Sequence, residues 1–106
     1  MLNTSDVIAF VATVKPEQAR AFYEGILGLA LREEDPFALV FDANGVTLRV
    51  AKVQTLAAAP HTVLGWRVSD IRATVAALAG KGVVWERFPG RKLLRKESAS
   101  ASCVRV

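Results

Sequence analysis

Short apolar runs rich in branched and aromatic residues alternate with two stretches of helical spacing. The run "VIAFVATV", Val7 to Val14, is nearly continuous and too short for an ordinary helix, so it predicts a buried strand. "KPEQARAFYEGILG" follows, with Pro16 suited to a first helical turn and Glu17 near the positive end of the helix dipole. Ala19, Phe22, Tyr23, Ile26 and Leu27 then recur at the spacing of one apolar helix face, and Gly28 ends it. Three strands are predicted next: Leu29 to Glu33, Phe37 to Phe41 and Val46 to Val53. Asp35-Pro36 separates the first two, and Asn44-Gly45, a strong tight-hairpin signal, separates the last two. The first half therefore reads strand, helix and three strands, the trailing ones antiparallel to their neighbours.

Residues 54 to 62 read as a linker, with Pro60 discouraging regular structure. The order then restarts. "VLGWRV", Val63 to Val68, predicts a strand, Ser69 or Asp70 caps a helix, and that helix carries Ile71, Val75, Leu78 and Ala79 on one face. Gly80 or Gly82 ends it, and "VVWERF", Val83 to Phe88, restarts a strand. A shift of 54 positions lays Val14 on Val68, Ala19 on Ala73 and Gly28 on Gly82, which predicts an internal repeat. The match fails after Gly90. "RKLLRKE" has only Leu93 and Leu94 as apolar residues, "SASAS" offers no glycine turn, and "CVRV" suits at most a short edge strand. The expectation for residues 91 to 106 is disorder or a loose helix around Leu93 and Leu94, with a ragged edge strand as the alternative.

Charge sharpens this division. The net charge is +4, yet the first 90 residues hold nine basic and nine acidic side chains, and the tail holds five basic and one acidic. A neutral body with a basic tail that lacks aromatics is not the pattern of a specific nucleic-acid binder. Acidic residues in "REEDP", Arg32 to Pro36, read as a solvated loop at a strand end. A chain of 106 residues suits one domain. Its single cysteine, Cys103, rules out an internal disulfide framework or a cysteine-built zinc site. No apolar run approaches the roughly 20 residues needed to cross a bilayer, and Asp6 stands where a signal peptide would be basic, so a cytoplasmic protein without membrane contact is expected. Phosphate-loop and nucleophile-elbow spacings are absent.

The stretches "VIAFVATVKPEQARAFYEGILGLAL" and "VLGWRVSDIRATVAALAGKGVVWE" resemble the vicinal oxygen chelate superfamily of glyoxalases, bleomycin-resistance proteins and extradiol dioxygenases. The resemblance implies an α+β fold of paired βαβββ modules forming a half-open barrel around a pocket. Module one would span residues 5–53, the linker 54–62 and the start of module two 63–90, with the second module left incomplete by the tail 91–106. Enzymes of the superfamily hold a divalent metal with His, Gln or Glu from the first and last strand of each module. The corresponding positions here are at or near Ala9, Arg49 and Val63, and the tail shows no clear fourth. Alanine and valine offer no lone pair and an arginine cation repels a metal, so no metal ligand, cofactor or catalytic residue is assigned. The single histidine, His61, reads as an exposed polar residue at a strand start.

If those positions mark the concave face, alternation points Val7, Ala9, Val11 and Thr13 into the cup on the first strand and packs Ile8, Phe10, Ala12 and Val14 on the helix. Thr47, Arg49 and Ala51 would face in on the last strand of module one, and Val63, Gly65 and Arg67 on the opening strand of module two. Arg49 and Arg67 then offer planar forks to a carboxylate or phosphate, with Thr13 beside them and Trp85 and Phe88 as an aromatic wall. The plainer reading has each arginine snorkelling to solvent or pairing with a glutamate, and Trp85 and Phe88 as core. The resulting expectation is a metal-free, non-catalytic protein similar to the bleomycin-resistance group. It would bind a small polar or anionic ligand as a homodimer, which the resemblance implies. The alternatives are a metal-dependent enzyme of the glyoxalase or dioxygenase type using donors such as His61 or Glu86, and a truncated or frame-altered relative without activity.

Overall fold

The computed structural model describes residues 1–57, 61, 63–83, 87–88, 91–92, 94–97 and 101–105, the last four stretches as backbone only. The chain divides into two compact units, residues 1–58 and 59–106. In the first, β1 (Ile8–Thr13) leads into α1 (Pro16–Arg20), and β2 (Ala30–Glu34), β3 (Ala38–Ala43) and β4 (Val46–Lys52) follow. They form one four-stranded sheet in the order β1-β4-β3-β2. β2, β3 and β4 run antiparallel to one another, and β1 lies parallel to β4 along one edge.

The turns form where their residues demand them. Asn44 and Gly45 both take positive φ, 51° and 88°, the two left-handed positions that a tight hairpin between twisted strands requires. At the other end of β3, Asp35 accepts hydrogen bonds from the Phe37 and Ala38 N–H groups at 2.7 and 2.8 Å, an aspartate closing its own turn. After Arg20 the helix widens to π spacing over Ala21–Ile26, and the Leu27 N–H donates to the Phe22 carbonyl. The Leu29 N–H closes the end on the Tyr23 carbonyl, around Gly28 at φ 77°. Only glycine adopts that conformation without a Cβ penalty.

The core lies where the helical segment covers the sheet. Leu39, Phe41, Leu48 and Val50 are fully buried, and Tyr23 is nearly so. The Tyr23 ring sits 5.6 Å from that of Phe41 and meets Phe22 edge-on at 5.1 Å. Burial of each large core side chain contributes about 1.5–3 kcal/mol. The covered face also carries Glu34, which receives Arg20 of α1 at 3.1 Å and Lys52 of β4 at 3.0 Å. "REEDP" is therefore only partly a solvated loop. Its first three residues lie in β2, and Glu34 ties the helix to two strands.

The pairing corrects the phase expected for β1. Phe10 stands opposite Arg49 and Ile8 opposite Thr47, whereas Ala9 and Val11 stand opposite the buried Leu48 and Val50. In-register neighbours share a face. Ile8, Phe10 and Ala12 therefore lie on the open face with Arg49, and Ala9, Val11 and Thr13 on the covered one. A run apolar at almost every position carries no alternation from which to choose between these phases.

In the second unit, β5 (Gly65–Val68) enters α2 (Ile71–Gly80), whose N-cap is Asp70, accepting from the Ala73 N–H at 3.1 Å. Gly82 at φ 91° repeats the role of Gly28, as the shift of 54 positions requires. Beyond it the units differ. β6 (Arg87–Phe88) and β7 (Arg91–Lys92) form a two-stranded pair, and β8 (Leu94–Glu97) and β9 (Ala101–Arg105) join β5 in the order β5-β9-β8. Strands thus stand where disorder or a loose helix was expected; Leu93 and residues 98–100 lie outside the described residues. β5 meets β9 antiparallel, whereas its counterpart β1 meets β4 parallel. No helix among the described residues is long and apolar enough to cross a membrane.

Candidate functional site

The open face of the first sheet is set by a simple rule: alternate residues of three paired strands share it. Arg49 lies at its middle, flanked in register by Phe10 on β1 and Val40 on β3. Its own neighbours Leu48 and Val50 are buried on the other face, which fixes the direction in which Arg49 projects. Arg49 is half-buried and makes no hydrogen bond or ion pair among the described residues. Its charge acts at longer range on Asp35, helping to hold that carboxyl below the usual range, chiefly after the two backbone N–H bonds from Phe37 and Ala38.

Of the acids near it, Asp42 and Glu34 are engaged, while Glu33, in register with Val40, stands on the open face one strand beyond it. Asp42, in register with Thr47, lies 3.8 Å from Arg32. Glu34 points to the covered face and its two cations. Arg49 thus keeps a planar fork without a partner among the described residues beside an exposed aromatic ring, since Phe10 is 65% exposed. A guanidinium in that setting can take a carboxylate or phosphate through two parallel hydrogen bonds, with apolar surface alongside for a hydrocarbon portion.

The other predicted residues fall elsewhere. Arg67 is exposed on β5 of the second unit, on the opposite strand face from the half-buried Trp66 and Val68, as alternation predicted. Thr13 is on the covered face, where its hydroxyl accepts the Lys15 N–H at 3.0 Å and shapes the entry to α1. Trp85 lies outside the described residues. Phe10, read from the sequence as packing on the helix, shares the open face with Arg49. Its signal was present in the sequence, an aromatic side chain inside an edge-strand run, and was hidden by the phase ambiguity of that run.

The side chains at the three aligned ligand positions do not suit a metal, and Glu86 lies outside the described residues. The first ligand position, placed at or near Ala9, becomes Ile8 or Phe10 once the register is known, and neither side chain binds a cation as a ligand. Arg49 and Val63 are no better. No group of three or more His, Cys, Asp or Glu among the described residues is arranged to hold a metal ion. His61 is exposed.

Comparison with known proteins bears on the whole chain. The Glyoxalase/Bleomycin resistance protein/Dioxygenase superfamily matches residues 5–94. Among solved structures, lactoylglutathione lyase from Agrobacterium tumefaciens superposes with a TM-score of 0.61 at 17% identity, covering 97% of this chain and 94% of that one. A glyoxalase family protein from Bacillus anthracis superposes with a TM-score of 0.55 at 19% identity, covering 89% and 84%. No curated protein matches the sequence. At these identities the likeness speaks for the fold.

Proposed function

Because the chain belongs to the Glyoxalase/Bleomycin resistance protein/Dioxygenase superfamily, we propose that it is a metal-free small-molecule binding member, of the bleomycin-resistance type. It holds a small carboxylate or similar anion on the open face of the first sheet. Arg49 is the anchor, and Phe10 and Val40 flank the ligand's apolar part. The observation that carries this reading is the half-buried Arg49 without a hydrogen-bond partner among the described residues, at a position where an enzyme of the family would place a metal donor. Holding such a guanidinium partly out of water costs free energy unless an anion meets it. Arg67, on the second unit, is proposed as an anion contact in its own right, and the active form is a homodimer.

Titration calorimetry of the chelator-treated protein with succinate and with acetate tests the proposal. Saturable binding without metal is expected. Binding that appears only after Zn²⁺ or Mn²⁺ is added would replace it with the metal-dependent enzyme reading.

A further inference from the structure

The first unit has a groove that Arg49, Phe10 and Val40 do not line, and none of its features is used by the reading above. It opens where β1 runs into α1, with a volume of about 310 Å³, near the lower end of the range for small-ligand sites. Phe22, Tyr23 and Leu56 give it apolar walls, and Thr13, Lys15 and Gln18 line its polar part. Among the described residues no acidic side chain lines it, and Lys15 supplies a formal charge.

Tyr23 marks the groove as more than a gap in packing. The residue is only 7% exposed, and its ring is fixed between Phe22 and Phe41. Yet its hydroxyl has no hydrogen-bond partner among the described residues. A buried polar group left without a partner costs about 1–3 kcal/mol, so an acceptor within reach is expected. Burial also raises the Tyr23 pKa, so the group remains a phenol that donates a proton in a hydrogen bond at neutral pH. The Thr13 hydroxyl accepts the Lys15 N–H and keeps its own O–H to donate, and the Lys15 ammonium and the Gln18 amide are the other polar groups on offer.

We infer that this groove is a second binding site, for a small aromatic or branched aliphatic monocarboxylate, with the carboxylate between the Tyr23 hydroxyl and the Lys15 ammonium and the hydrocarbon against Phe22 and Leu56. One negative charge matches one cation, a phenol donor matches a carboxylate oxygen, and the walls match a compact apolar body. The inference does not rest on Arg49, which does not line the groove.

Benzoate titrated into ¹⁵N-labelled full-length protein is the test, read at backbone amides of Thr13 and Gln18. Saturable shifts there are expected. Tyr23→Phe removes one charge-assisted hydrogen bond while keeping the ring and should weaken binding about 10- to 100-fold. Lys15→Gln, at an exposed position, should weaken it about 2- to 5-fold, with the difference fading in high salt. Arg49→Gln should leave the groove shifts unchanged. Absence of shifts at Thr13 and Gln18, or affinities indifferent to both groove substitutions, would overturn the inference. Loss of the groove shifts in Arg49→Gln would overturn it as well, by assigning benzoate to the open face.

Discussion

At the scale of single residues, two groups carry most of the chemistry that can be tested. Arg49 is a half-buried cation without a hydrogen-bond partner among the described residues. Replacing it by glutamine should lower affinity for succinate at least tenfold by calorimetry, the usual scale for losing a charge-assisted hydrogen bond. The melting temperature should stay level or rise, because the desolvated charge is gone. Asp35 acts through its turn. The Phe37 and Ala38 N–H groups favour its ionised form, so its folded-state pKa lies below the ordinary aspartate value of about 3.9. A depressed pKa gives stability that is complete above the unfolded value and is lost as the pH falls through the folded one. Melts recorded from pH 6 down to pH 2 should therefore show a steeper decline for the wild type than for Asp35→Ala, with the variant already the less stable at pH 6. Parallel curves would contradict this. Both residues were visible in the sequence, one as a charge within an apolar strand and the other as an Asp-Pro turn.

Elements were legible wherever their periodicity was distinctive. The helix face that includes Tyr23, the Asn44-Gly45 hairpin and the glycines ending both helices could be read directly, because each depends on a local backbone preference. The phase of β1 was not legible, since six of its eight flanking and internal positions from Val7 to Val14 are Val, Ile, Phe or Thr and the other two are alanine. Only pairing with β4 separates its faces. The π-spaced turn was equally hidden, because an apolar stripe over so few residues fits either helical spacing. The observed phase makes a paired prediction. Phe10→Ser should change unfolding free energy by no more than about 0.5 kcal/mol, whereas Val11→Ser should cost about 1–3 kcal/mol in denaturant titrations. The reverse order would restore the inverted phase and remove Phe10 from the site. In the core, Leu39→Ala should cost about 2–5 kcal/mol.

Across the whole molecule, the repeat persists to Gly82 and then breaks. Sequence reasoning located the break near Gly90 from the loss of apolar alternation and of turn residues. It did not foresee that β9 would pair with β5, since "SASCVRV" has little that distinguishes an inner strand from a solvated tail. The pairing has a direct consequence. A chain ending before Leu94 lacks both β8 and β9 and leaves β5 without its partner. Hydrogen exchange should then lose protection at Gly65 to Val68 while Leu39, Leu48 and Val50 in the first unit remain protected. Equal protection of β5 with and without residues 94–106 would count against the β5-β9 ladder.

The central claim is that this member of the superfamily binds a small anion through Arg49 without a metal, and the side-chain Nε–Hε resonance of Arg49 reports on it most directly. We would follow that resonance in ¹⁵N-labelled protein during a succinate titration in the presence of EDTA. A saturable downfield shift, absent from the spectrum of Arg49→Gln, is the predicted result. A resonance that stays fixed at millimolar succinate, or moves only when Zn²⁺ or Mn²⁺ replaces the chelator, would contradict the claim.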